Sequence, residues 1–121
     1  MKASVIRPDP ASEYSTEERC HILELSNSAN DEALSIARAR VEAGVTTAFH
    51  RCVNTAERFV ITQGEGRVEI EGLSPETVTV GDVVIIPPGA EQRIANTGNE
   101  DLVFLALCTP RFRPGNYRHT E

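Results

Sequence analysis

No stretch of this 121-residue chain approaches the about 18 consecutive apolar residues that a membrane-spanning helix needs. The opening MKASVIRPDP also lacks an apolar signal region and carries Arg7 and two prolines instead. Basic stripes are missing: 12 Lys and Arg stand against 18 Asp and Glu, for a formal charge of −6. That balance excludes the electrostatic footprint of a nucleic-acid-binding protein. Cysteine is scarce, and Cys20, Cys52 and Cys108 are widely spaced and odd in number, which is no disulfide framework. They read as reduced thiols, Cys20 and Cys108 as small buried apolar residues. Internal repeats and helical periods of useful length are absent as well. These absences lead us to expect a cytoplasmic protein that engages neither nucleic acid nor membrane.

What is present suits one folded domain. The length lies within the about 100–150 residues typical of a single core, and 40% apolar and 25% charged residues match a globular average. Residues 1–19 are polar and proline-containing and read as an arm, with a helix conceivable over Ser12–Cys20 but little apolar face to dock it. Short strands are then expected at CHILEL, Leu34–Val41, Thr46–Arg51, Arg58–Gln63, Arg67–Ile70, Thr77–Val80, Val83–Ile86, Gln92–Asn96 and Leu102–Cys108. Gly64-Glu-Gly66, Gly72, Ser74-Pro75, Gly81-Asp82, Pro88-Gly89 and Thr97-Gly98-Asn99 punctuate them as turns. Many short strands with regular turns predict an all-β antiparallel sandwich or barrel over residues 20–110, followed by an extended tail over 111–121.

Two strands stand out. In Leu34–Val41, Ser35, Ala37, Ala39 and Val41 share one face. Turned into an interior, such small residues leave room for a ligand; set against a close neighbouring strand, they mean tight packing, and we expect the latter. LVFLALC (102–108) is apolar on both faces and so is expected to be covered twice. The N-terminal arm, the tail or another subunit can supply the second cover, and of these we expect a second copy of the chain, giving a homodimer.

Two glycine-bounded frames organise the middle of the chain. In the first, Gly44 is followed after five residues by His50, then Cys52, Glu57 and Gly64. In the second, Gly81 is followed after five residues by Pro87, then Gly89, Gln92 and Asn96. Both resemble the paired motifs of the cupin superfamily, matching the spacing at every position. The resemblance implies a small single-domain cupin, an antiparallel β-barrel or jelly roll. It further implies that His50, Cys52, Glu57 and Gln92 converge near one mouth of the barrel, where typical members bind a metal. Two positions depart from the family pattern: Cys52 and Gln92 stand where those members have histidine.

His50 and Cys52, two apart on a strand, leave the same face. Imidazole, thiolate, carboxylate and amide oxygen together suit a divalent transition metal (zinc, iron, nickel or copper) better than magnesium or calcium. With open coordination positions, such a set permits Lewis-acid catalysis or oxygen chemistry, and the resemblance to cupins implies a metal-dependent enzyme of oxygenase or of isomerase/lyase type acting on a small organic substrate. The alternative is a metal-free small-molecule-binding or sensor cupin without turnover, with His50 a hydrogen-bonded core histidine, Cys52 a filler and Gln92 a polar remnant. A third reading pairs Cys52 as nucleophile with His50 as base, although residues two apart on a strand lie ~6.5 Å apart at Cα, which is loose for such a pair. A redox role for Cys52, bridged to Cys108, is also open. His21 and His119 read as structural or exposed, and Tyr14 and Tyr117 as residues able to close over the barrel mouth. Gly64-x-Gly66 is a hairpin turn and no phosphate loop, since no Lys-Ser/Thr follows it.

Overall fold

Alternating apolar residues make strands that bury one face, and this chain makes eleven of them. The computed structural model describes residues 1–121. Its strands are β1 (Tyr14–Ser15), β2 (His21–Ser26), β3 (Ser35–Val41), β4 (His50–Cys52), β5 (Ala56–Gln63), β6 (Glu65–Ile70), β7 (Leu73–Thr79), β8 (Val83–Ile86), β9 (Gln92–Asn96), β10 (Leu102–Thr109) and β11 (Tyr117–His119). Helix is limited to three short 3-10 turns. A six-stranded sheet runs β1-β2-β3-β10-β5-β8 and a five-stranded sheet β11-β4-β9-β6-β7, every pairing antiparallel.

The core lies between the sheets. Phe59, Ile61, Val84, Ile86, Leu102 and Phe104 face it from one side, and Val68, Ile70, Val78 and Ile94 from the other. The expected all-β jelly roll is therefore present. The sheets stay separate at their edges, so this is an open sandwich and not a closed barrel.

Three local expectations change, each for a physical reason. Thr46–Arg51 was expected as one strand, but only His50–Cys52 is regular. The Thr47 N–H bonds the Ile94 carbonyl at 2.9 Å, while the Ile94 N–H donates to the Thr47 hydroxyl at 3.0 Å, so a side chain replaces the ladder partner. Ser74-Pro75, expected as a turn, lies inside β7. That strand is the sheet edge, where a proline removes no ladder bond. The conceivable helix over Ser12–Cys20 is absent, and β1 joins β2 through a turn closed by Thr16, whose N–H and hydroxyl both donate to the Cys20 carbonyl at 2.9 and 2.8 Å.

The arm and the tail both complete the sandwich. β1 adds an edge to one sheet, and β11 adds an edge to the other by pairing Tyr117 with Cys52 and His119 with His50.

Candidate functional site

Strand register assembles the site. His50 and Cys52 are both buried on β4 and share a face. His50 pairs with Gln92 across β4 and β9, and Glu57 pairs with Cys108 across β5 and β10. The four motif residues thus meet around two adjoining cavities. The larger, of about 350 Å³, is lined by His50, Cys52 and Glu57; the smaller, of about 40 Å³, by His50, Glu57 and Gln92.

Small side chains create the larger space. Ser35 and Ala37 from β3 and Ala106 and Cys108 from β10 line it, and the register sets Ala37 opposite Ala106 and Ser35 opposite Cys108. The small-residue face of β3 was expected to mean tight packing; it opens a cavity instead, because the strand paired with it is equally small there. Tyr14 and Tyr117 also line the space.

The polar groups inside are partly satisfied by each other. Gln92 Nε2 donates to Glu57 Oε1 at 2.6 Å, and the Cys108 thiol makes a long contact of 3.9 Å to Glu57 Oε2. Burial raises the Glu57 carboxyl above the usual carboxylate range, with the Gln92 bond opposing it. His50 Nδ1 lies 2.8 Å from the Ala48 carbonyl and 3.1 Å from Glu18 Oε2. Both neighbours present oxygen acceptors, which suits a proton on Nδ1, and Nε2 has no hydrogen-bond partner. The His50 ring also stacks on Tyr117, with centroids 5.4 Å apart.

Glu18 is the residue that sequence reasoning missed. It belongs to the arm, outside both glycine frames. Its backbone carbonyl accepts from the Ala48 N–H at 3.0 Å, and Arg19 beside it takes a left-handed φ of 67°. Arg19 is anchored in turn by Nε to the Thr46 carbonyl at 2.9 Å and by its guanidinium to Glu121 at 2.9 Å. These bonds hold an otherwise unfavourable backbone and lay the Glu18 side chain over His50. Neither carboxyl oxygen of Glu18 accepts a hydrogen bond, and Oε2 is wholly buried. Burial pushes the Glu18 carboxyl up to about 7, with Glu17 adding to the rise. No local signal marks this residue, since the contact depends on the fold returning 32 residues later.

The thiols are poor nucleophiles as they stand. All three cysteines are free and buried. Burial, then the neighbouring Glu57 carboxyl, raises the Cys52 thiol well above its ordinary value and pushes Cys108 up to about 12. A neutral thiol at β4 gives no support to a Cys52–His50 nucleophile pair. The fit to a metal is also incomplete. No group of three or more His, Cys, Asp and Glu side chains stands in a geometry able to hold an ion. Gln92 turns its amide nitrogen, not its oxygen, toward Glu57.

Comparison with known proteins agrees with the architecture. The profile of the cupin domain family matches residues 37–108. An uncharacterised protein of Methanocaldococcus jannaschii is 32% identical over 87 residues, covering 72% of this chain and 66% of that protein. An oxalate-binding protein of Thermotoga maritima is 31% identical over 90 residues, covering 74% of this chain and 73% of that one. Among solved structures, KdgF from Halomonas sp. superposes with a TM-score of 0.76 at 17% identity, covering 90% of this chain and 96% of that chain, a likeness of fold. With both glycine frames and most of the sandwich inside the matched segment, the chain belongs to the cupin family.

Proposed function

We propose that this cupin binds a small organic molecule in the about 350 Å³ cavity between β3, β4, β10 and the tail, and holds it through its own side chains without a metal. The cavity carries this reading. Half of its sixteen lining residues are hydrophobic, the mixture of apolar wall and few polar groups that small-molecule sites use. The identity to an oxalate-binding protein supports binding of a small ligand in this family setting. Chelator-treated protein is expected to take up ligand as well as untreated protein does. Ligand uptake that vanishes on chelation and returns with added metal would overturn the assignment.

A divalent transition metal at His50, Cys52, Glu57 and Gln92 is the second reading, and one observation favours it. His50 offers a free Nε2 while its Nδ1–H is fixed by a carbonyl, the arrangement that orients ligating histidines. Binding would require the Gln92 amide to turn and the Cys52 thiol to lose its proton. When bound, the ion would supply Lewis acidity or oxygen chemistry. Elemental analysis of protein purified without chelator, beside C52S and E57A, tests it: near-stoichiometric metal that falls in both variants would establish the site.

A second copy of the chain is our proposed occupant for the outer face of the six-stranded sheet. There Leu105, Val60 and Val83 form one cross-strand row and Leu107, Arg58 and Ile85 the next, with Val83 and Ile85 exposed. Such a face can meet its own copy about a two-fold axis. Sedimentation showing monomer at high concentration would remove this proposal.

A further inference from the structure

The cavity has an unbalanced chemistry that narrows what it can hold. Its lining includes Glu17, Glu18, Glu24 and Glu57 and no lysine or arginine. The arginines adjacent in the chain to lining residues have other partners: Arg19 pairs with Glu121, Arg38 with Glu13, Arg51 with Glu71 and Glu91, Arg58 with Thr109, Arg111 and Arg113 with Glu32, and Arg118 donates to the Gly115 and Tyr117 carbonyls. A dicarboxylate such as oxalate would therefore meet four carboxyl groups and no lysine or arginine, with His50 the one basic side chain in the lining. Opposite charge or donor hydrogens are needed to offset the desolvation of a buried anion.

The unfilled hydrogen-bonding capacity points the same way. Three acceptors lack donors. Glu18 accepts at neither oxygen. Glu57 Oε2 has only the long contact from the Cys108 thiol. His50, whose side chain is only 10% exposed, leaves Nε2 without a partner. The free donors in the lining are the Tyr117 hydroxyl, which has no partner, the Ser35 hydroxyl, which only accepts from the Phe112 N–H, and the Cys52 thiol. A wall with four carboxyl groups and no lysine or arginine is complementary to a cationic, donor-rich ligand. An ammonium group presents three N–H donors and a positive charge in one compact head. Beyond that head the wall turns apolar, at Ile22, Ala37, Ala106 and Phe112.

We propose that the ligand of this cavity is a small organic cation, a protonated primary amine on an apolar body. Its ammonium sits among Glu18, Glu57 and His50 Nε2, and its body lies against Ala37, Ala106 and Ile22. This proposal rests on the metal-free binding reading above and adds the class of ligand. It also assigns the N-terminal arm a binding role: Glu18 is carried into the site by its backbone bond to Ala48 and is a specificity-determining residue outside the family motifs.

Three probes that share one skeleton and differ in one group test it: 2-phenylethylamine, 2-phenylethanol and 3-phenylpropanoate. Each is titrated into the full chain by calorimetry, after chelator treatment and again with zinc added. In metal-free protein the amine is expected to bind at least about ten-fold more tightly than the alcohol, the gain of a charge-assisted over a neutral hydrogen bond, and the acid least. E18Q is expected to remove about that factor for the amine and leave the alcohol unchanged. E24Q, at an exposed position of the lining, is expected to weaken the amine a few-fold, and it preserves the test should E18Q loosen the arm. Acid binding as tightly as amine in metal-free protein, or an amine no tighter than the alcohol, overturns the cation while the pocket stands. If none of the probes binds until zinc is added, the metal-free pocket itself fails, and the cation fails with it.

Discussion

The two ends of the β3–β10 ladder differ in a way that accounts for most of this molecule. At one end Val41 faces Leu102 and Ala39 faces Phe104, all four residues buried, with Phe104 packed on Phe59 at a ring-centroid distance of 4.4 Å. At the other end Ala37 faces Ala106 and Ser35 faces Cys108, and a cavity opens. The strands, the register and the period are the same along the whole ladder. Side-chain volume alone separates core from site. A sandwich filled along its whole length would be more stable, and the small residues at one end forgo that packing to keep a space.

The comparison can be broken first at its packed end. F104A should lower the unfolding free energy by about 3–5 kcal/mol in a denaturant titration, since a large ring leaves a close-packed core that relaxes only in part. A loss below about 1 kcal/mol would mean that this end is not packed as described.

A smaller effect is expected from the charge that the open end carries. With its carboxyl raised to about 7 against an ordinary value near 4.5, Glu18 holds its proton more tightly in the folded than in the unfolded chain. Its contribution to stability is thus fully present below about pH 4.5 and lost as pH rises through about 7. Metal-free protein should lose stability across that window, and E18Q should flatten the slope and gain on the order of 1 kcal/mol at pH 8. Identical slopes for the two proteins would show that the carboxyl is not held in a water-poor setting.

The smallest change in stability should come from filling the space. A106L places added carbons where there is room, so its stability should shift by less than about 1 kcal/mol, under the cost of overpacking a filled core. Ligand binding should nevertheless be lost, which calorimetry would read directly. A destabilisation rivalling that of F104A would make the open end a packed one, and retained binding would move the ligand elsewhere.

How much could be read without the fold follows from which contacts are local. Val83–Ile86 and Gln92–Asn96 emerge with the expected bounds, because a two-residue period and flanking Gly and Pro mark them fully. His50 and Cys52 on one face, and Glu57 in step with inward Phe59 and Ile61, are consequences of the same period. The break at Thr46–Phe49 was not legible, since it arises when the Thr47 hydroxyl takes the Ile94 N–H from 47 residues away. The open end of β3 was misread for a related reason. Ser35, Ala37 and Ala39 look alike in the chain, yet Ala39 meets Phe104 and borders only the cavity of about 40 Å³, whereas Ala37 meets Ala106 and borders the one of about 350 Å³.

By itself the sequence determined an all-β domain with two glycine-bounded frames, since alternation, turn chemistry and motif spacing are properties of neighbouring residues. Only the tertiary structure decided that Gln92 spends its amide on Glu57, that Ala37 and Ala106 leave a cavity, and that Glu18 arrives over His50 from outside the motifs. Those outcomes depend on register between distant strands, where a slip of one residue would turn each side chain to the opposite face.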